Sequence, residues 1–142
     1  LIDIERLKKY AKEIRENIRL IEEYTGSEEE FFSDQRNVLS VKHLLLQSIE
    51  SCAIVCNHIS SKFGKVAPSG YTECFRNLED IGIFDDKFVK KLVSMARFRN
   101  ILVHEYIKVD DSKVLQFAQN NIIDFDEFLR GVFDFLKESE II

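Results

Sequence analysis

The chain has no tryptophan, one proline and five glycines among its 142 residues. So few turn-forming residues argue against a loop-rich all-β fold. Cysteine is scarce and odd in number, at Cys52, Cys56 and Cys74. Three thiols make no closed disulfide framework, so buried, reduced thiols and a cytoplasmic location are expected. Cys52, Cys56 and His58 could be imagined as a metal site, but helical geometry sets His58 about 200° around from Cys56. No uninterrupted apolar run approaches the roughly 18 residues of a membrane span. The opening LIDIERLKKYAKEI mixes charges throughout and lacks the apolar centre of a signal peptide. No membrane partner is therefore expected. A phosphate loop is missing too, since Gly64-Lys65 has neither the upstream glycine nor the following Ser or Thr.

What is there suits a folded domain. Apolar residues make up 45% of the chain, enough for one core, and residues 1–142 read as a single domain. Net charge is −5, which by itself disfavours a polyanionic partner. The distribution is uneven. Between Ile83 and Lys108 stand Lys87, Lys90, Lys91, Arg97, Arg99 and Lys108 against Asp85, Asp86 and Glu105. That segment is positive, and the rest of the chain carries the acidity.

Apolar residues recur at three- and four-residue steps, the period of a helix packed on one side. Ile4, Leu7, Ala11, Ile14, Ile18 and Ile21 form the first stripe, stopped near Gly26. After the acidic stretch SEEEFFSDQRN, Ser33 or Asp34 caps a long second helix reaching about Lys62. FGKVAPSGYT reads as a loop. Ser69 or Thr72 then opens a short helix with Phe75 and Leu78 inward, ended by Gly82. Asp85 and Asp86 cap a helix marked by Phe88, Leu92, Met95, Phe98 or Arg99, and Leu102. The last stripe runs from Val114 to Leu136, with a kink or split possible at Asn120-Asn121. No strand pattern competes. The expected fold is all-α, an antiparallel bundle of four to six helices. Twelve phenylalanines point to core packing first and an oligomer interface second.

Chemistry concentrates in RFRNILVHEY, residues 97–106. On a regular helix Asn100 and His104 share a face, and Arg97 joins it. Arg99 lies about 140° around from His104, so the two converge only through a distorted helix end or a second copy of the chain. A purely structural reading is also available. A histidine at a helix C-terminus favours the dipole, the arginines could pair with surface carboxylates, and Tyr106 could be a half-buried aromatic. His104-Glu105 begins like a zinc-protease helix, yet no second histidine follows at the required spacing.

RNILVHEY resembles the signature of the HEPN superfamily: an arginine, four to six residues, then a histidine. Arg99 and His104 fit it, with Asn100 as the polar residue after the arginine. His104-Glu105-Tyr106 is similar to the His-x-Tyr extension of the HepT-like branch, as is the upstream series Tyr71, Phe75, Leu78, Ile81-Gly82. The resemblance implies a homodimeric helical toxin that cleaves RNA without a metal or other cofactor. It implies Arg99, His104 and Asn100 as catalytic residues, Arg99 being preferred because it directly precedes Asn100. Arg97 also fits the loose spacing before His104, and from the shared motif face it would either replace or assist Arg99. It also implies an MNT-type nucleotidyltransferase antitoxin that adds AMP to Tyr106. The alternatives are a non-catalytic nucleotide-binding partner or substrate of such a transferase, and a helical interaction domain with a vestigial motif.

Overall fold

The computed structural model describes residues 2–64 and 68–142, and among them every regular element is a helix. There are seven: α1 (Ile4–Tyr24), α2 (Glu28–Phe32), α3 (Gln35–Phe63), α4 (Tyr71–Ile81), α5 (Asp86–His104), α6 (Asp111–Asn121) and α7 (Ile123–Glu138). The all-α expectation holds. The count exceeds six for two local reasons. SEEEFF is not wholly irregular: the Ser27 side chain accepts the Glu30 N–H, and Phe31 is driven into the core. Five residues are too few to show a period. The last stripe is also divided, with Ile122 standing between α6 and α7.

Most helix ends lie where capping chemistry puts them. Asp3, Asp34, Asp85 and Asp110 each accept a backbone N–H from the first turn of α1, α3, α5 and α6. The start of α4 departs from the expectation, because neither Ser69 nor Thr72 caps it. Gly70 holds the cap position, and the Glu73 carboxylate reaches back to the Ser69 N–H and hydroxyl. Gly82 ends α4 at φ 94°, a left-handed conformation that glycine adopts without steric cost. The expected loop beyond Phe63 is non-helical at Gly64 and from Pro68 to Gly70; residues 65–67 lie outside the described set.

Helix α3 is the axle. It packs on all six other helices, α1 and α4 most extensively. By length and composition it could cross a bilayer, with a window of mean hydropathy 1.4, but its apolar side chains Val41, Leu45, Ile49, Cys52, Val55 and Ile59 all lie in the core. One continuous core draws on residues from Leu7 to Leu136. The phenylalanines serve it: Phe31, Phe75, Phe125 and Phe128 are fully buried, and Phe98 stacks on Phe117 at 4.2 Å between ring centres. Gly131 is required by this packing. A Cβ there would overlap the Phe84 ring, which leans on Phe88 and Phe128.

The three cysteines are buried and free. Cys56 and Cys74 meet with their sulfurs 2.8 Å apart, joining α3 to α4. Burial pushes the Cys52 and Cys56 thiols well up, while the contact with Cys56 lowers that of Cys74. His58 turns away from them and accepts the Asp3 N–H on Nε2 at 3.0 Å.

Candidate active site

The motif helix is held by its apolar side. Phe88, Leu92, Met95, Phe98 and Leu102 all enter the core, and that anchorage turns Arg97, Asn100 and His104 outward, where all three are exposed. Among the described residues neither the Arg97 nor the His104 side chain has a hydrogen-bond or ion-pair partner. His104 is the last residue of α5, where a positive charge suits the helix dipole. Apolar residues close to it in the chain are also exposed: Ile101, Val103 and Ile107, by 41%, 41% and 93%.

Arg99 lies on a different side, half-buried. Its guanidinium carbon sits 4.8 Å from the centre of the Tyr71 ring, a cation–π contact with the first residue of α4. Its Nη1 donates to the Asn100 side-chain oxygen at 3.3 Å, and Nη2 forms an ion pair with Glu50 of α3 at 3.6 Å, too long for a hydrogen bond. Nε is buried and unpartnered. An arginine carries five N–H donors, so most of this one's capacity is unspent. Arg99 and Asn100 open onto a cleft of about 650 Å³ whose walls include Tyr71, Thr72, Arg76 and Glu73. His104, Arg97 and Tyr106 do not line it. One protomer therefore joins Arg99 with Asn100 and leaves His104 on a separate aspect of the same helix end.

Beyond His104 the chain turns back at once. Glu105 N–H bonds to Ile101 O at 2.8 Å, Val109 N–H bonds to Glu105 O at 2.7 Å, and Val109 plugs into the core. Tyr106 is fixed by Lys42 of α3. This lysine is buried, with a side chain 4% exposed, and its ammonium meets Asp111 at 2.9 Å and the Tyr106 carbonyl at 3.1 Å. It also sits 5.3 Å from the centre of the Tyr106 ring. The Tyr106 hydroxyl reaches the surface beside Leu39, donating to its carbonyl at 3.4 Å.

The sequence singled out neither Lys42 nor Glu50. A signal for Lys42 was present: it follows Val41 directly and stands four after Val38 and three before Leu45, inside an apolar stripe. A lysine there needs a buried acceptor. Glu50 carried no comparable mark. Among the described residues no three His, Cys, Asp or Glu side chains gather in a metal-binding group.

The class this defines is an all-helical domain that presents arginine, asparagine, histidine and tyrosine from one helix end. The chain belongs to the ribonuclease HepT-like family of the HEPN superfamily, whose family model matches residues 14–132. It is 26% identical over 116 residues to the mRNA nuclease HepT of Shewanella oneidensis, a span covering 82% of this chain and 87% of that protein. Its fold is shared by the tri-AMPylated Shewanella oneidensis HEPN toxin in complex with MNT antitoxin, at TM-score 0.84 and 23% identity over 91% of this chain and 97% of that one. A cytosolic protein of Bacillus subtilis, YutE, is as similar in fold, at TM-score 0.84 and 17% identity over 97% of this chain and 93% of that one.

Proposed function

We propose that this chain is a cytoplasmic endoribonuclease toxin that cuts RNA at a site completed by a second copy of itself, using no metal. We further propose that a nucleotidyltransferase antitoxin silences it by adding AMP to Tyr106. The observation that carries the reading is the state of the motif. His104 is exposed and unpartnered, Arg99 keeps most of its donors free, and the two do not share a cleft within one protomer.

RNA brings its own nucleophile, the 2′-hydroxyl. Cleavage needs a base for that proton, an acid for the departing 5′-oxygen, and positive charge on the phosphorane. An imidazole titrating near 6.5 suits either proton role, each worth roughly 10²- to 10⁴-fold. One histidine cannot fill both at once. A two-fold dimer supplies a second, His104 of each copy serving one proton, and the exposed apolar residues Ile101, Val103 and Ile107 favour such a contact. Arg99 offers a permanent forked charge to the phosphorane oxygens. Asn100 orients Arg99 and faces the same cleft, and Arg97 adds charge on the His104 side.

Tyr106 suits modification because its backbone and ring are clamped while its hydroxyl stands at the surface. Attack of that oxygen on the α-phosphorus of ATP forms the tyrosyl–AMP bond and releases pyrophosphate. The added phosphate and nucleoside would bring negative charge and bulk beside His104.

Purified protein is expected to cut single-stranded RNA in EDTA to 2′,3′-cyclic phosphate ends. His104→Ala should lose at least about 10²-fold in rate with unchanged helicity and melting temperature. A broad RNA panel left intact by wild type, with and without divalent metal, would overturn the enzyme reading. Intact mass after incubation with an MNT-type transferase and ATP tests Tyr106: the gain should vanish in Tyr106→Phe.

A further inference from the structure

Tyr71 is a wall not only of the cleft that Arg99 and Asn100 open onto but also of a second hollow, about 430 Å³, lined by Arg6 of α1 and Asn57, His58 and Ser61 of α3. The two hollows share this one aromatic side chain. Each lies within the roughly 300–1,000 Å³ of ordinary ligand pockets.

The chemistry along this path is not that of the chain at large. Three guanidinium groups stand on it (Arg6, Arg76 and Arg99) in a protein of net charge −5. Two carboxamides, Asn57 and Asn100, punctuate it. Of the carboxylates beside it, Glu73 is already engaged by Ser69 through two hydrogen bonds, Asp3 is spent on capping α1 through the Arg6 N–H, and Glu50 forms only a long ion pair with Arg99, at 3.6 Å. Arg6 is braced on Tyr10, 5.8 Å from the ring centre, and Arg99 on Tyr71. Braced guanidinium groups lose less freedom on meeting a phosphate than free ones. Alternating cations, carboxamides and a flat aromatic ring suit a single nucleic acid strand, with phosphate on arginine, base edge on carboxamide and base face on ring.

We infer that the path from Arg99 and Asn100 across Tyr71 to Arg6 and Asn57 is a binding subsite for the ribonucleotide adjoining the scissile phosphate in single-stranded RNA. This rests on the ribonuclease reading for the position of the cut, but binding can be measured without it. Arg6, Asn57 and Arg76 are exposed, so replacing them leaves the core intact.

The test uses the full chain carrying His104→Ala, with a labelled single-stranded RNA oligomer followed by fluorescence anisotropy. Adding Arg6→Glu or Asn57→Ala should each weaken binding roughly tenfold or more, and Arg6→Glu should also flatten the salt dependence by about one ion. In the otherwise wild-type chain the same changes should raise KM more than they lower kcat. Unchanged RNA affinity and KM in both variants would overturn the subsite while leaving the ribonuclease reading standing. RNA binding that depends on Arg6 and Asn57 in a wild-type chain that cuts nothing would uphold the path as an RNA-binding site while overturning both its place beside a cut and the ribonuclease. Binding of poly-glutamate as tight as that of RNA, with the same dependence, would reassign the path to an acidic protein partner and overturn the proposal.

Discussion

Single residues on this surface carry the consequences of where they are packed, and His58 shows it for pH. Burial first, then the charges of Arg6 and Lys62, lower its pKa, against a smaller opposing effect of Asp3. Its Nε2 accepts the Asp3 N–H, which only the neutral ring can do. The folded chain therefore binds this proton less readily than the unfolded chain, whose histidine titrates near 6.5. Stability present above that value should fall as pH drops through it towards the lower folded value. Melting temperature followed from pH 8 to 5 should show this loss in wild type and a smaller one in His58→Gln, whose side-chain oxygen keeps an acceptor for Asp3. Equal curves for the two proteins would refute the linkage. At Arg99 packing decides position: contacts with Tyr71, Asn100 and Glu50 hold the guanidinium at the wall of a cleft.

At the scale of elements, the motif depends on how α5 ends. The return loop behind His104 is tied to α3 by Lys42, through Asp111 and the Tyr106 carbonyl. Removing one side of a buried, hydrogen-bonded charge pair strands the other. Since Asp111 keeps some access to water, Lys42→Met should cost about 1–3 kcal/mol in denaturant unfolding. Hydrogen exchange should quicken at residues 105–109, and both RNA cleavage and Tyr106 modification should fall more than stability alone explains. Normal exchange in that loop would show that Lys42 is only a packing residue. The helices themselves were readable in advance, because Ile4 to Ile21 and Phe88 to Leu102 repeat at the period that buries one face. The start of α4 was not, because the Glu73 bond to Ser69 is a choice among several polar groups of similar capping strength. Nor was α2, in which a single phenylalanine does the burying.

At the scale of the whole molecule, Ile101, Val103 and Ile107 stand exposed on either side of His104. The proposed dimer would cover such apolar side chains and complete the proposed site at once. Ile107→Asp, exposed by 93% and outside the core, should shift the protein towards monomer in sedimentation velocity and lower RNA cleavage in parallel, with helicity unchanged. Full activity in a protein that sediments as a monomer would remove the chemical reason for the dimer.

Sequence alone determined the all-helical fold, the placing of most caps, and the gathering of Arg97, Arg99, Asn100, His104 and Tyr106 at one helix end. Those properties follow from local spacing and from the burial of one helix face, which a linear pattern records. Tertiary structure alone decided that Arg99 rests on Tyr71, that Lys42 grips the Tyr106 loop, and that Arg6 stands on the same path as Asn100. Each joins residues that are far apart along the chain, and such contacts are chosen by how whole helices pack against α3 and leave no trace in the spacing of any one of them.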